Sequence, residues 1–338
     1  MPIAQNPITV KHKKALLIMP SWIYAKYIIK ALEQREYEVD FFSDRPSESF
    51  VSKTLIRIWK PLDFYQVVPY QNKILHRASE IDYDFILVIN GESFSPDFFK
   101  KLADCQKKAK KIYFIWDTLA FYQKRIKNTP FFDFVFSFEK KDCEKYGFYF
   151  LSDFYTDCFK PDNSPIEYDY SFISTAKPGK IGDYLDIKSE LENRGFERGY
   201  THLYIQGKLI YEYFALKSKE FRRIKFRDMS TEKISYDDYA TITKKSRYVI
   251  DCVTKGQSGL TMKVFEALAA KKKIVTNNPS IRDYDFYDPR NIWVFGSDSD
   301  KEFWNCQFFD EITNEDTIKR YSLDSWIDKL INFKTDAI

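Results

Sequence analysis

The sequence predicts a doubly wound α/β protein with two parallel sheets, each layered with helices. Three observations carry this expectation. Short apolar runs alternate with amphipathic stretches almost from end to end, which is the pattern of strands buried between helices. A polar, turn-forming segment at 155–165 with Pro161 and Pro165 interrupts the alternation near mid-chain. The length, 338 residues, exceeds what one hydrophobic core usually spans.

In the first half, residues 15–19, 38–42, 66–69, 85–89, 112–116 and 134–138 have the length and apolar character of strands. Helices are expected between them, near 22–35, 48–59, 71–80, 96–108 and 139–146. Together they read as a Rossmann-like domain over 1–157. After the linker, strands are expected at 170–174, 203–206, 224–226, 248–253, 273–276 and 292–295, with helices near 183–194, 209–219, 236–245 and 258–270. These form a second Rossmann-like domain over 158–322. A last helix within 323–338 carries Leu323, Trp326, Ile327, Leu330 and Ile331 on one face and is expected to pack back on the N-terminal domain. Two such domains on a short hinge predict a cleft, and ligands of parallel sheets bind beyond the carboxyl ends of the strands.

The composition narrows the functions. Fifty-three basic residues against 49 acidic give a net charge of +4, a balanced surface that argues against nucleic acid as partner. The lysine runs at 107–111 and 271–273 follow expected helices and read as helix C-caps. Cysteines 105, 143, 158, 252 and 306 show neither metal-ligand spacing nor an even framework, which points to free thiols in a reducing, cytoplasmic setting. No apolar stretch is long enough to cross a bilayer, and no signal-peptide pattern opens the chain, so a soluble protein is expected. Aromatic residues make up 18% of the chain; most belong in cores, and a few are candidates for stacking on sugars.

The most informative stretch is 255–269, Lys-Gly-Gln-Ser-Gly-Leu-Thr-Met-Lys-Val-Phe-Glu-Ala-Leu-Ala, directly after an apolar run. Strand, small turn and helix start outline an anion site, because the first helical turn leaves N–H groups unpaired and partially positive. Lys263 adds a full charge, and Glu266, three residues on, has the chemistry to accept from two sugar hydroxyls. Leu260, Val264, Phe265 and Leu268 fall at helical spacing for packing on a sheet. The plainer alternative is an ordinary Gly-containing turn with a solvated glutamate.

Four stretches carry a family resemblance: 83–92 (Tyr-Asp-Phe-Ile-Leu-Val-Ile-Asn-Gly-Glu), 115–117 (Ile-Trp-Asp), 134–142 (Phe-Val-Phe-Ser-Phe-Glu-Lys-Lys-Asp) and 257–278. With the two-domain layout, the chain resembles the GT-B glycosyltransferases, specifically the bacterial group that builds capsule, exopolysaccharide and lipopolysaccharide and shares a spore-maturation type of C-terminal transferase domain. The resemblance implies transfer of a sugar from a nucleotide diphosphate-sugar, with a UDP-sugar as the expected donor, to a polysaccharide or lipid-linked oligosaccharide. It implies a donor on the C-terminal domain and an acceptor on the N-terminal one.

Carried over by position, Glu266 would bind the ribose hydroxyls. Ser258, Gly259 and Thr261 would donate to the diphosphate, and Lys263 would neutralise it. The loop with Ser174, Lys177 and Lys180 is a second phosphate-facing candidate, with a plain Pro-Gly turn as the alternative. Arg227 and Met229 occupy the place where the family cradles the base through main-chain atoms. The retaining pattern of such enzymes has a second Glu eight residues before the ribose Glu; Ser258 stands there, which favours inversion. Inversion needs a general base. His12, His76 and His202 are poorly placed, whereas Glu92 and Asp117 follow strands and would project into the cleft; capping a turn or helix is the alternative for each.

No metal and no cofactor are expected. The acidic pairs Asp237, Asp238 and Asp298, Asp300 read as solvated clusters. Trp22, Tyr24, Phe121 and Tyr122 are candidates for lining the acceptor path, and Lys53, Arg57, Trp59 and Lys60 for touching lipid at the inner membrane face. Two other functions fit the same pattern: a GT-B-fold nucleotide-sugar epimerase, for which the chain is poor in histidine, and a noncatalytic binding protein.

Overall fold

The structure, a computed structural model, describes residues 12–46, 61–120, 122–254, 256–296, 301–306, 309 and 314–334. The helix expected near 48–59, the lipid-contact segment 53–60, Phe121, Lys255 and Asp298 to Asp300 lie outside the described residues. The chain divides into two compact units, one comprising Met1–Ser137, Asp142–Phe150 and Ile327–Ile338, the other Phe138–Lys141 and Leu151–Trp326.

The first unit is built on a six-stranded parallel sheet. Its strands are β1 (Lys13–Met19), β2 (Tyr37–Ser43), β3 (Phe85–Ile89), β4 (Lys110–Ile115), β5 (Phe134–Ser137) and the two-residue β6 (Tyr149–Phe150). They run in the order β2-β1-β3-β4-β5-β6. The central strands β1, β3 and β4 are apolar on both faces and buried along nearly their whole length, as a helix-covered parallel sheet requires. Helices α1 (Ile23–Glu33), α2 (Pro61–Glu80), α3 (Pro96–Cys105) and α4 (Lys140–Tyr146) connect them. Ser95 caps α3, accepting from the Phe98 N–H at 3.2 Å.

Residues 66–69 lie inside α2 and form no strand. Their Val67-Val68 pair has strand propensity, but Pro69 has no N–H to give a ladder, and Val67 is buried as one position of an amphipathic helical face. The two-residue β6 is too short to leave a periodic signal.

The second unit carries β7 (Tyr168–Thr175), β8 (Gly199–Tyr204), β9 (Ser246–Asp251), β10 (Lys273–Thr276) and β11 (Ile292–Val294) in the order β11-β10-β9-β7-β8, all parallel. Helices α5 (Ile181–Asn193), α6 (Lys208–Lys217), α7 (Tyr236–Lys244) and α8 (Met262–Ala269) link the strands. The strand expected at 224–226 is absent: single 3-10 turns at Phe221–Arg223 and Phe226–Asp228 flank it. The pairing at that edge comes later, where Ser230 bridges Tyr204, with Ser230 N–H to the Leu203 carbonyl and Ile205 N–H to the Ser230 carbonyl, both 2.8 Å. The 255–269 stretch therefore follows the third strand of this sheet, not the fourth.

Both sheets share one topology. Chain order reverses between β1 and β3 in the first unit and between β7 and β9 in the second, and such switch points are where ligands seat in parallel sheets. Helices α9 (Lys301–Asn305) and α10 (Glu315–Lys319) precede the terminal helix α11 (Leu323–Asn332). In the second unit Trp326 packs on Phe154 with ring centroids 4.9 Å apart. In the first, the Lys110 ammonium donates to the carbonyls of Leu330, Ile331 and Phe333 at 2.6–2.8 Å, so the carboxyl half of α11 packs there.

The lysine runs are only partly helix ends. Lys110 and Lys111 lie in β4, and Lys111 is buried, donating to the Ala109 carbonyl at 2.8 Å and pairing with Asp133 at 3.2 Å. Lys273 lies in β10, fully buried, donating to the carbonyls of Phe303 and Cys306. Lys271, left-handed with φ of 52°, and Lys272 do end α8, their N–H groups donating to the Leu268 and Ala267 carbonyls at 3.0 and 2.9 Å.

Candidate functional site

In the second unit the loops after β7 and β9 meet beyond the switch point. β9 ends on Asp251, whose side chain is buried. Its Oδ1 accepts from the Thr261 hydroxyl at 3.0 Å and lies 3.7 Å from the Lys263 ammonium; its Oδ2 is buried without a hydrogen-bond partner. Lys180, at the end of the β7 loop, is brought to the same carboxylate: burial pushes its ammonium below the ordinary lysine range, Asp251 opposes that, and Lys263 and Lys177 add to it. Lys180 and Lys263 thus share the field of the buried Asp251, with Lys177 beside Lys180 and the Asp183 carboxylate also close to the cluster. Three lysines against the two carboxylates Asp251 and Asp183 leave a positive surplus of one for an anion to balance.

The frame around this cluster is rigidly hydrogen bonded. Asn277, after β10, accepts from the Val253 N–H at 2.8 Å and donates to the Val253 carbonyl at 3.1 Å and to Asp183 of α5 at 2.5 Å. The Lys263 ammonium stands 5.0 Å from the Phe172 ring of β7. Ser174, near the end of β7, donates its hydroxyl to the neighbouring Thr175 carbonyl at 3.3 Å. Gly179 turns the loop with φ of 86°, a conformation open to glycine.

The amides of Ser258 and Gly259, expected to face phosphate, are given to a carboxylate of the protein itself. Both donate to Glu139 Oε2 at 3.0 Å, and the Ser258 hydroxyl donates to Glu139 Oε1. Asn278 donates to the Ser258 carbonyl at 3.1 Å, and Gln257 to the Gly259 carbonyl at 3.0 Å. A Cβ at Gly259 would come within 2.5 Å of the Phe138 ring, so only glycine fits. Glu139 stood in one of the quoted stretches without a role. Nothing local in the sequence pairs it with a loop 119 residues away.

Thr261 directs its hydroxyl to Asp251, leaving its own helix without a side-chain cap. Lys263 and Glu266, three residues apart, take separate partners. Glu266 is buried, and its two oxygens accept from Tyr236 at 2.9 Å and Tyr239 at 2.7 Å, both on α7. Leu260, Val264, Phe265 and Leu268 are buried, as their spacing predicts. Arg227 is exposed, 3.9 Å from Asp228, and Met229 precedes the Ser230 bridge. Asp238 accepts from the Ser235 hydroxyl at 2.6 Å in the first turn of α7, a capping arrangement.

In the first unit the loops after β2, β3 and β4 converge. Asn90 and Gly91 follow β3 in the left-handed region, with φ of 63° and 59°. The Asn90 amide donates to Asp117 at 3.0 Å and its oxygen accepts from the Trp116 N–H at 2.8 Å. The buried guanidinium of Arg125 donates to Asp117 at 2.8 Å and to Asn90 Oδ1 at 2.9 Å. Glu92 accepts from Arg45, and its N–H donates to buried Asp44 at 3.2 Å. Glu92 and Asp117 are each oriented by an arginine.

Arg125, Asn90, Asp44 and Arg45 had no role in the sequence reading: Arg125 lies eight residues from Asp117, and the other pairs, 27 to 48 residues apart, meet only at the carboxyl ends of the strands. Trp22 and Tyr24 pack on Trp116 with centroids 5.7 and 5.6 Å away. Trp22 and Tyr122 remain about two-fifths exposed, at 43% and 40%. His12 and His76 are exposed, the latter 3.5 Å from Glu80, and His202 Nε2 lies 3.1 Å from the Glu232 carbonyl. Among the described residues no group of three or more His, Cys, Asp or Glu is placed to hold a metal, and no helix is long and apolar enough to cross a membrane.

The chain is similar in structure to Anabaena Alr3699/HepE in complex with UDP and glucose, with a TM-score of 0.59 and 12% identity over 95% of this chain and 98% of that one. The same protein in complex with UDP gives a TM-score of 0.57 over 94% and 98%. The fold is GT-B. A UDP-GlcNAc 2-epimerase from Methanocaldococcus jannaschii also aligns, at a TM-score of 0.45 and 11% identity over 96% and 94%. No protein-family model matches the sequence, and no curated protein matches it.

Proposed function

We propose that this protein is a glycosyltransferase that moves a sugar from a nucleotide diphosphate-sugar, with a UDP-sugar as donor, to a polysaccharide or lipid-linked glycan of the capsule or lipopolysaccharide type, working in the cytoplasm at the inner membrane face. The observation that carries the reading is the gathering of Lys263 and Lys180 at Asp251, with Lys177 beside Lys180, at the β7/β9 switch point. A diphosphate supplies the missing negative charge. HepE, which shares the fold, was crystallised with UDP and glucose.

In the proposed reaction the acceptor hydroxyl oxygen bonds to the anomeric carbon as that carbon's bond to the diphosphate oxygen breaks. The departing electron pair ends on the diphosphate, held by the lysines, and the hydroxyl proton passes to a carboxylate of the first unit. Asp117 and Glu92 are the candidates, with Arg125 and Arg45 fixing their orientation. Trp22 and Tyr122 offer partly exposed ring faces to an acceptor sugar. Inversion of the anomeric centre is favoured by Ser258 standing where the retaining pattern has a glutamate. The lysines and helix starts serve the charge of the leaving group without a metal.

Incubating the protein with a panel of nucleotide-sugars and glycan acceptors, and measuring free nucleotide, tests the reading. Transfer releases UDP in step with product, and Asp117→Asn or Glu92→Gln slows it about a hundredfold or more, the loss expected for a general base. An epimerised sugar with no transfer product would indicate the epimerase, and binding without turnover a noncatalytic protein.

A further inference from the structure

The bare apolar surface of the second unit gathers on one helix. The inner face of α6 packs Ile210, Tyr211, Phe214 and Ala215 against the core. Leu209, Tyr213 and Leu216, spaced four and three residues apart, form a second stripe that is 81%, 51% and 84% exposed. Single exposed leucines are ordinary, but an aligned apolar stripe marks an interaction surface.

Positive charge gathers at the same place. Residues 208–227 hold seven cations, Lys208, Lys217, Lys219, Arg222, Arg223, Lys225 and Arg227, against Glu212 and Glu220. That is a net +5 in twenty residues. Removing seven from 53 and two from 49 leaves 46 basic and 47 acidic residues, a net of −1 for the rest of the chain. All seven cations are exposed, and Lys219, Arg222 and Lys225 form no ion pair among the described residues, whereas Arg223 pairs with Asp186 at 2.8 Å.

We propose that this face docks on an anionic bilayer surface, the leucines entering the headgroup boundary and the cations meeting lipid phosphates. Exposed apolar side chains on α6 followed at once by exposed basic ones in the next two turns are what such a surface recognises. A two-fold contact with a second copy would set +5 against +5. Nucleic acid would use the cations and leave two leucines in water. The surface is independent of the lysine cluster at Asp251, so its failure would leave the proposed activity standing.

The test is co-sedimentation of the full chain with vesicles of phosphatidylcholine alone and of phosphatidylcholine with phosphatidylglycerol, across a salt series. Binding only to the anionic vesicles, weakening as salt rises, is expected. Leu209→Glu with Leu216→Glu, and separately Arg222→Glu with Lys225→Glu, each lower it about tenfold or more, with circular dichroism and UDP affinity unchanged. No binding to anionic vesicles, or binding that neither double variant reduces, overturns the proposal. A concentration-dependent dimer dispersed by the leucine variant, or RNA binding in place of vesicle binding, overturns it too.

Discussion

Glu266 shows how a single side chain's partners escape a reading of the sequence. The sequence marks a helical carboxylate able to accept from two hydroxyls, and two hydroxyls do donate to it, those of Tyr236 and Tyr239. Its geometry therefore supports the α7/α8 contact in the structure. Glu266→Ala removes the acceptor of two tyrosine hydroxyls, of which Tyr236 also meets Thr156 at 3.1 Å, and is expected to lower stability by about 1–2 kcal/mol, while Glu266→Gln keeps an acceptor and loses less; urea denaturation measures both. Asp251, Asn90 and Arg125 were illegible because each acquires meaning from residues on other strands. Lys263 and Lys180 were legible because their positions after strands could be counted along the chain.

At the scale of elements, the loop at 256–260 owes its shape to side chains that come from outside it. Glu139 holds the Ser258 and Gly259 amides, and Asn278 and Gln257 hold the carbonyls. Glu139→Ala removes the acceptor of the buried Gly259 N–H, at about 1–3 kcal/mol, and of the part-buried Ser258 N–H, at less; a fall in stability with faster amide exchange at 258 and 259 is expected by hydrogen-exchange mass spectrometry. Lys110→Ala removes the charge that closes the carboxyl end of α11 and is expected to cost about 1 kcal/mol, with exchange rising in residues 327–332 ahead of the sheet. Most strands were legible because burial on both faces demands continuous apolar runs. The failures at 66–69 and 224–226 fell where local propensity and sheet position disagree: the first is held in a helix by its packing, and at the second the sheet edge is met by Ser230.

At the scale of the molecule, one doubly wound topology occurs twice, and each copy gathers its polar side chains at its own switch point. That arrangement was legible in outline from the alternation of elements, whereas the carboxylates that meet at each switch point were not. Surface carboxylates also set the acid limit of the fold. Hydrogen bonds from Lys244 and Arg290 hold Asp162 and Asp288 below the usual carboxylate range. The unfolded chain then binds more protons in acid, so the stability they contribute is present above about pH 4 and is lost as pH falls through their lower folded values. Thermal melts should show stability falling below that pH, with a shallower fall in Asp162→Asn and Asp288→Asn. The central claim is that the lysines around Asp251 receive a nucleotide diphosphate. Calorimetric titration of UDP into the protein and into Lys180→Ala and Lys263→Ala tests it most directly: binding weakened about ten- to a hundredfold in each variant, the worth of one charge-assisted contact, is the predicted result, and UDP affinity unchanged in both, or no binding of any nucleotide, would contradict it.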